Sequence, residues 1–209
     1  MRISPIIRAM MRRTRDELRQ HNRNLLIEAA EAIFAQKGVA GASLDDVALR
    51  AGLTKGAVYS NFRSKGELIL EVIKQRQRKT LEAQEFNEIR HEQKDDRERL
   101  LEWCDLWIKQ VTDGKRNDYA RLIFEFIPLA LQEPDLKNQF LEYISPRPNS
   151  ETQSPLPPNG PVGSLPVEDQ FRILVAIDIG LAFLMLFDKD NVSPDLYKST
   201  LLALSQLEA

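Results

Sequence analysis

Cysteine is almost missing from this chain: Cys104 stands alone among 209 residues. That excludes an intrachain disulfide and suits a reducing, cytoplasmic setting. Its neighbours include no lysine or arginine within three positions, so packing is favoured over a reactive thiol. Histidine is as scarce. His21 and His91 lie in polar stretches without partners at metal-ligand spacing. The sequence has no G-x-S-x-G elbow, no Walker lysine loop and no Gly-rich dinucleotide turn. The carboxylate pairs Asp45-Asp46 and Asp95-Asp96 fit helix starts or solvated faces. No enzyme and no cofactor is expected. No alternation of period two marks a strand, and no internal repeat is visible. Residues 1–11 lack a sustained apolar core and a small-residue cleavage site. The longest apolar run, 173–187, is too short to span a bilayer and contains Asp178. No membrane partner is therefore expected.

What the chain does have is a lopsided charge. The net charge of −2 conceals 16 Lys/Arg against 8 Asp/Glu in residues 1–80, and the opposite excess beyond. A basic head on an acidic body suits an anionic partner bound at one end. Residues 1–19 carry Arg2, Arg8, Arg12, Arg13, Arg15 and Arg19. They read as a basic arm turning helical near Thr14, either a solvated tail or an arm that reaches a minor groove.

Helical periodicity governs everything after the arm. Leu26, Ala29, Ala30, Ile33 and Phe34 predict a helix over 22–37, stopped by Gly38. Then comes SLDDVALRAGLTKGAVYSNFRSKGE, residues 43–67. Ser43 with Asp46 and Ser64 with Glu67 have the spacing of helix caps, and Thr54 is a further N-cap. Gly52 falls where a chain leaving a helix turns left-handed. Val47, Ala48, Ala51, Leu53 and Val58 are the small apolar set that two crossed helices bury. This is the pattern of a helix-turn-helix, whose second helix enters the major groove.

Residues 22–68 resemble the TetR family of bacterial one-component repressors. The resemblance is carried by Ile27-Glu28-Ala29-Ala30, Phe34 and Gly38, by Ser43-Leu44-Asp45-Asp46-Val47-Ala48, by the run from Ala51 to Tyr59, and by Asn61-Phe62-Arg63-Ser64-Lys65 with Leu68. Asn61 replaces a common histidine of the family, and Gly66 a common acidic residue. The resemblance implies a recognition helix over 54–61. Gly56 and Ala57 are small enough for base edges and thymine methyls to approach. Lys55 can reach a guanine or a phosphate, and Ser60 and Asn61 offer hydrogen bonds to base or backbone. Tyr59 is either a phosphate ligand or a packed aromatic. Ser43 and Thr54 combine capping with phosphate contact, and Lys65 in the next helix's first turn suits an anion.

The expected organisation is all-α. A basic arm spans 1–19, a DNA-binding domain 20–66, and a helical effector-binding and dimerisation domain 67–209. Within the last lies a flexible loop, 145–166, which holds seven of the eleven prolines. Further helices are expected over 100–111, 118–131 (with Pro128 as a kink or boundary), from Pro134, over 167–187 and over 194–207. One short helix reads few base pairs, so a homodimer on double-stranded operator DNA is expected. The segment 167–187 is apolar nearly all round and must be buried on every face. Its Ala176, Gly180 and Phe187, with Leu122 and Phe126, are the candidate dimer contacts. The resemblance also implies a small-molecule effector pocket, with Trp103, Trp107, Phe124, Phe126, Phe171, Asp178 and Phe183 as candidate walls. Asp178 is costly in an apolar run unless paired; it meets either an arginine such as Arg121 across the dimer or a cationic or hydroxylated ligand. The expected function is a repressor released by its effector. The alternatives are an activator or an architectural protein with the same head.

Overall fold

The computed structural model describes residues 15–81, 95–144, 156 and 160–205. Most of the basic arm, the charged stretch after residue 81 and most of the Pro-rich loop lie outside them. Among the described residues there are nine helices and no strand, so the fold is all-α. The chain divides into two compact units between Val72 and Ile73.

In the head, α1 spans Arg15–Gly41, α2 Leu44–Ala51, α3 Lys55–Asn61, and α4 begins at Lys65 and runs to Leu81. Helix α1 packs on α2 and α3, and α2 on α3. The apolar stripe of α1 (Leu26, Ile27, Ala30, Ile33, Phe34) is buried, as are Val47, Ala48, Val58, Phe62, Leu68, Ile69 and Val72. Gly38 breaks the helical geometry inside α1 with φ 69° and ψ 168°, a conformation open to glycine. The helix does break at Gly38 as expected, and a short second helical segment follows to Gly41.

The turn between α2 and α3 is built locally. Gly52 is left-handed at φ 66° and its N–H donates to the Ala48 and Leu49 carbonyls. Leu53 N donates to the Ala48 carbonyl at 3.0 Å, completing a Schellman-type stop. A Cβ at Gly52 would meet nothing within 4 Å. Backbone geometry, not space, is therefore what calls for glycine there.

In the body, α5 spans Asp96–Thr112, α6 Lys115–Gln132, α7 Pro134–Ile144, α8 Val167–Phe187 and α9 Asp195–Ser205. Helix α6 continues through Pro128, so that proline is not a boundary. Helix α8 packs on α6 and α9, α9 on α5, and α6 on α5 and α7. One core gathers Leu100, Cys104 and Trp107 of α5, Leu174 and Met185 of α8, and Tyr197 and Leu201 of α9. Leu156 and Val162 join it, and Gly160 is buried so tightly that a Cβ would lie 2.9 Å from the Ser205 carbonyl oxygen. Gln170 donates to the Gly163 and Leu165 carbonyls at 3.0 and 2.7 Å. The described end of the Pro-rich segment is therefore docked, not a free linker. Proline composition hid this, because the apolar anchors Leu156 and Val162 are isolated residues with no periodicity.

One expectation about the body needs correction. Leu122 and Phe126 are buried within the single chain, Phe126 completely, and Phe126 packs edge-on to Phe140 with centroids 5.0 Å apart. They already have intrachain neighbours, so they present no surface to a second copy. Ala176, Gly180 and Phe187, by contrast, are exposed, Phe187 to 76%. Helix α8 has the bounds expected from its sequence. The helix has 21 residues and, by length and composition, could cross a membrane. The run 173–187 counted alone falls short because the helix begins six residues earlier, with the charged Glu168, Asp169 and Arg172 in its first turns.

Candidate nucleic-acid interface

Helix α3 is seven residues long and has two faces. Val58 is fully buried against the head. Lys55, Gly56, Tyr59 and Ser60 are exposed together, at the spacing that puts them on one side of a helix. Tyr59 is 53% exposed, which decides against the packed-aromatic reading. Thr54 caps the helix, its hydroxyl accepting from Ala57 N at 3.2 Å. Ser60 Oγ donates back to the Ala57 carbonyl at 3.0 Å. Gly56 is open as well: a Cβ there would meet only Thr54 Oγ1, at 3.7 Å. The outer face thus carries an ammonium, a phenol and hydroxyls around a position with no side chain. That inventory can donate to phosphates and base edges and lets a flat surface come close.

Other candidates are placed differently. Asn61 turns its amide inward, Nδ2 donating to the Ala57 carbonyl at 2.8 Å, while its Oδ1 is buried without a partner. Ala57 is half-buried. Lys65 Nζ donates to the main-chain carbonyls of Val39 at 2.5 Å and Ala42 at 2.6 Å. The expectation that its ammonium faces phosphate is corrected accordingly. The chain leaving α1 exposes carbonyls that need donors, and Lys65 supplies them from the start of α4.

Ser43 closes a full capping box. Its hydroxyl accepts from Asp46 N at 3.1 Å, its own N–H donates to Asp46 Oδ2 at 3.1 Å, and the hydroxyl proton also reaches Oδ2 at 2.8 Å. Lys37 Nζ adds an ion pair to Asp46 at 2.8 Å. The second box is only half formed. Ser64 Oγ accepts from Glu67 N at 3.2 Å, but the Glu67 carboxylate accepts from Arg63 N at 2.7 Å.

These networks set the local electrostatics. The Lys37 and Ser43 hydrogen bonds hold the Asp46 carboxyl down at about 2, from an ordinary 3.8. A depressed carboxyl stabilises the fold above its unfolded value and stops doing so as pH falls through its folded value. The head of the wild type is therefore expected to lose stability between about pH 4 and pH 2. Thermal melts of wild type and Asp46→Asn over that range check this: the gap between them should be widest above pH 4 and close toward pH 2. A gap independent of pH would refute the assignment. Lys55 pairs with Asp45 at 2.9 Å, which raises the ammonium's pKa and keeps it charged. Spacing along the sequence does not reveal this partner, which lies ten residues upstream on α2.

The candidate effector residues fall into separate groups. Trp107 Nε1 donates to the Asp178 carboxylate, and Trp107 stacks on Tyr197 at 4.2 Å. Trp103 Nε1 donates to the Tyr197 hydroxyl at 3.2 Å. Asp178 thus meets an indole within its own chain. Arg121 pairs with Glu125 of its own helix at 2.9 Å. Phe124 and Phe183 lie 4.6 Å apart, and Phe183 continues to Phe187 at 4.7 Å. Phe171 is half-buried on α8. Cys104 is fully buried, and burial pushes its thiol up to about 12. At neutral pH it is a packed apolar group without thiolate character.

Comparison with known proteins fits this geometry. The family model "Bacterial regulatory proteins, tetR family" matches residues 26–72, the segment from the stripe of α1 to the buried start of α4. The chain is 48% identical over 60 residues to the HTH-type transcriptional regulator TtgR of Pseudomonas putida, covering 29% of this chain and 28% of that protein. It is 36% identical over 63 residues to the HTH-type transcriptional repressor BepR of Brucella suis, covering 30% of each. The chain therefore matches less than a third of the length of these curated relatives. Over nearly the whole fold it resembles the crystal structure of a putative transcriptional regulator from Rhodococcus sp. RHA1, with a TM-score of 0.62, 13% identity and 90% and 96% of the two chains covered. The head that presents α3 is thus similar, over residues 26–72, to the bacterial tetR family of regulatory proteins.

Proposed function

We propose that the protein is a DNA-binding transcription regulator: a homodimeric repressor that a small-molecule effector releases from a palindromic operator. The observation that carries this reading is the outer face of α3, with Lys55, Gly56, Tyr59 and Ser60 exposed together around a buried Val58. Nothing on that face serves the core of the head, so the residues are available to a partner. Lys55 and Asp45 are both well exposed, so an incoming phosphate or guanine edge can take the ammonium from the carboxylate. The name of BepR, a repressor, favours repression over activation.

The dimer reading rests on α8. Its inner face, with Leu174, Ala182 and Met185, is buried in the body. Its outer face leaves Ala176, Gly180, Leu184 and Phe187 uncovered. Exposed apolar residues in a row need a cover. A bilayer is the poorer cover, because the part free of the first-turn charges measures about 22 Å against a hydrocarbon core of about 30 Å. A second copy of α8 can approach closely at Ala176 and Gly180. For the effector, the Trp107–Asp178 pair next to Tyr197 and Trp103 supplies aromatic faces around a carboxylate, which favours a hydroxylated or cationic ligand over an anion.

Selection from a random duplex pool tests the function. The wild type should enrich an inverted repeat, bound with strong salt dependence. Lys55→Ala should change the enriched motif more than it changes affinity for random duplex. An unaltered motif would remove Lys55 from base reading, and no enrichment by the wild type would remove the DNA reading altogether. A promoter reporter carrying the enriched site should fall when the protein is present; a rise would make it an activator.

A further inference from the structure

Arg23 lies on α1, outside the segment matched by the family model, yet it meets the far end of α3. Its Nη1 donates to the main-chain carbonyl of Asn61 at 2.8 Å. Its Nη2 lies 3.2 Å from the Glu71 carboxylate of α4. Its guanidinium carbon lies 4.4 Å from the centroid of the Phe62 ring. Asn61 is the last residue of α3, and Phe62 is the extended residue that ends it, at φ −138° and ψ 127°. The Arg23 side chain is only 24% exposed and that of Glu71 16%. These contacts are therefore sheltered from water, unlike a surface pair.

A helix of two turns cannot hold itself, because most of its backbone groups lack partners within it. Its orientation is set from outside. At the first end, the Thr54 cap and the Lys55–Asp45 pair join α3 to its own turn and to α2. Val58 anchors the middle. At the last end the carbonyls carry negative partial charge, and Arg23 places a cation on one of them. The planar guanidinium fork engages two acceptors at a fixed angle and lies on a ring. A lysine, with a point charge on a flexible stem, does not reproduce that arrangement.

We infer that Arg23 is a positioning residue for sequence readout: it fixes the last turn of α3, and with it the angle at which Tyr59 and Ser60 meet the groove. The inference rests on the proposed role of α3 as the DNA-reading helix. Hydrogen bonds to base edges depend on that angle, whereas attraction to phosphates is largely indifferent to it. Loss of Arg23 should therefore appear in specificity rather than in general affinity.

The test compares wild type, Arg23→Lys and Glu71→Gln on the duplex that the wild type enriches and on random duplex. Arg23→Lys should bind the enriched duplex about tenfold more weakly and random duplex within about twofold of wild type, with an unchanged salt slope. Glu71→Gln keeps an acceptor for the fork and should lose no more than about threefold. Hydrogen exchange at the Phe62 amide, which donates to the Val58 carbonyl at 2.9 Å, should speed up in Arg23→Lys by about tenfold while the melting temperature stays high enough to keep the chain folded. Three results would overturn the inference. One is a wild-type ratio of enriched to random affinity in Arg23→Lys. Another is equal loss on both duplexes with a salt slope lower by about one, which would make Arg23 a direct phosphate ligand. The third is unchanged exchange at Phe62. Should the wild type enrich no duplex, the DNA reading fails, and the exchange measurement still decides whether Arg23 holds the end of α3.

Discussion

Gly180→Arg should leave the protein monomeric and weaken binding to its preferred duplex by at least about a hundredfold. Gly180 lies on the uncovered side of α8, and a Cβ there would meet nothing within 4 Å inside the chain. The substitution is therefore compatible with the protomer, and arginine is a better helix former than glycine. At a dimer contact, the outcome is different. A guanidinium pressed against Ala176, Leu184 and Phe187 of a second copy is desolvated without a partner, which costs several kcal/mol. A head separated from its twin loses the effective concentration that makes two short reading helices act as one. Sedimentation velocity at micromolar concentration, paired with duplex titration, measures both effects. A variant that remains dimeric with wild-type affinity would move the interface to another face of the body.

The second large effect is expected from Lys65→Met, and it is an effect on folding. Methionine keeps the stem but removes the donors to the Val39 and Ala42 carbonyls. Losing a donor to a sheltered carbonyl costs about 1–3 kcal/mol where water cannot replace it. The head should consequently unfold at clearly lower urea concentration. The salt slope of DNA binding, measured where the variant is still folded, should stay at the wild-type value, because no phosphate contact is lost. A stable variant whose slope falls by about one unit would restore the phosphate role that the sequence suggests for Lys65.

The contrast between Ser43 and Lys65 shows where a sequence is legible. Ser43, Asp46, Thr54 and Gly52 act on backbone groups within three or four positions of themselves, so their residue types reveal the caps and the turn that the structure contains. The buried stripe of α1 is legible for the same reason, since helical spacing alone puts Leu26, Ala30, Ile33 and Phe34 on one side. Lys65 and Arg23 act on carbonyls 26 and 38 positions away, and no local pattern distinguishes them from solvated cations. The body shows the same limit in its apolar residues. Both Phe126 and Phe187 look like interface candidates, yet the first is closed in by Phe140 and the second is open. Only the packing of α6 against α7 and α8 separates them. Asp178 was visible as an anomaly in an apolar run, but its partner Trp107 comes from α5, 71 positions earlier.

Hydroxyl-radical and methylation footprinting of the full-length protein on its enriched duplex addresses the central claim most directly. Two copies of α3 should protect two major-groove patches about 34–36 Å apart on the same side of the helix, and the protection should fade steeply as salt is raised. Protection of a single patch, or no salt-sensitive protection on any duplex in the absence of an effector, would contradict the account.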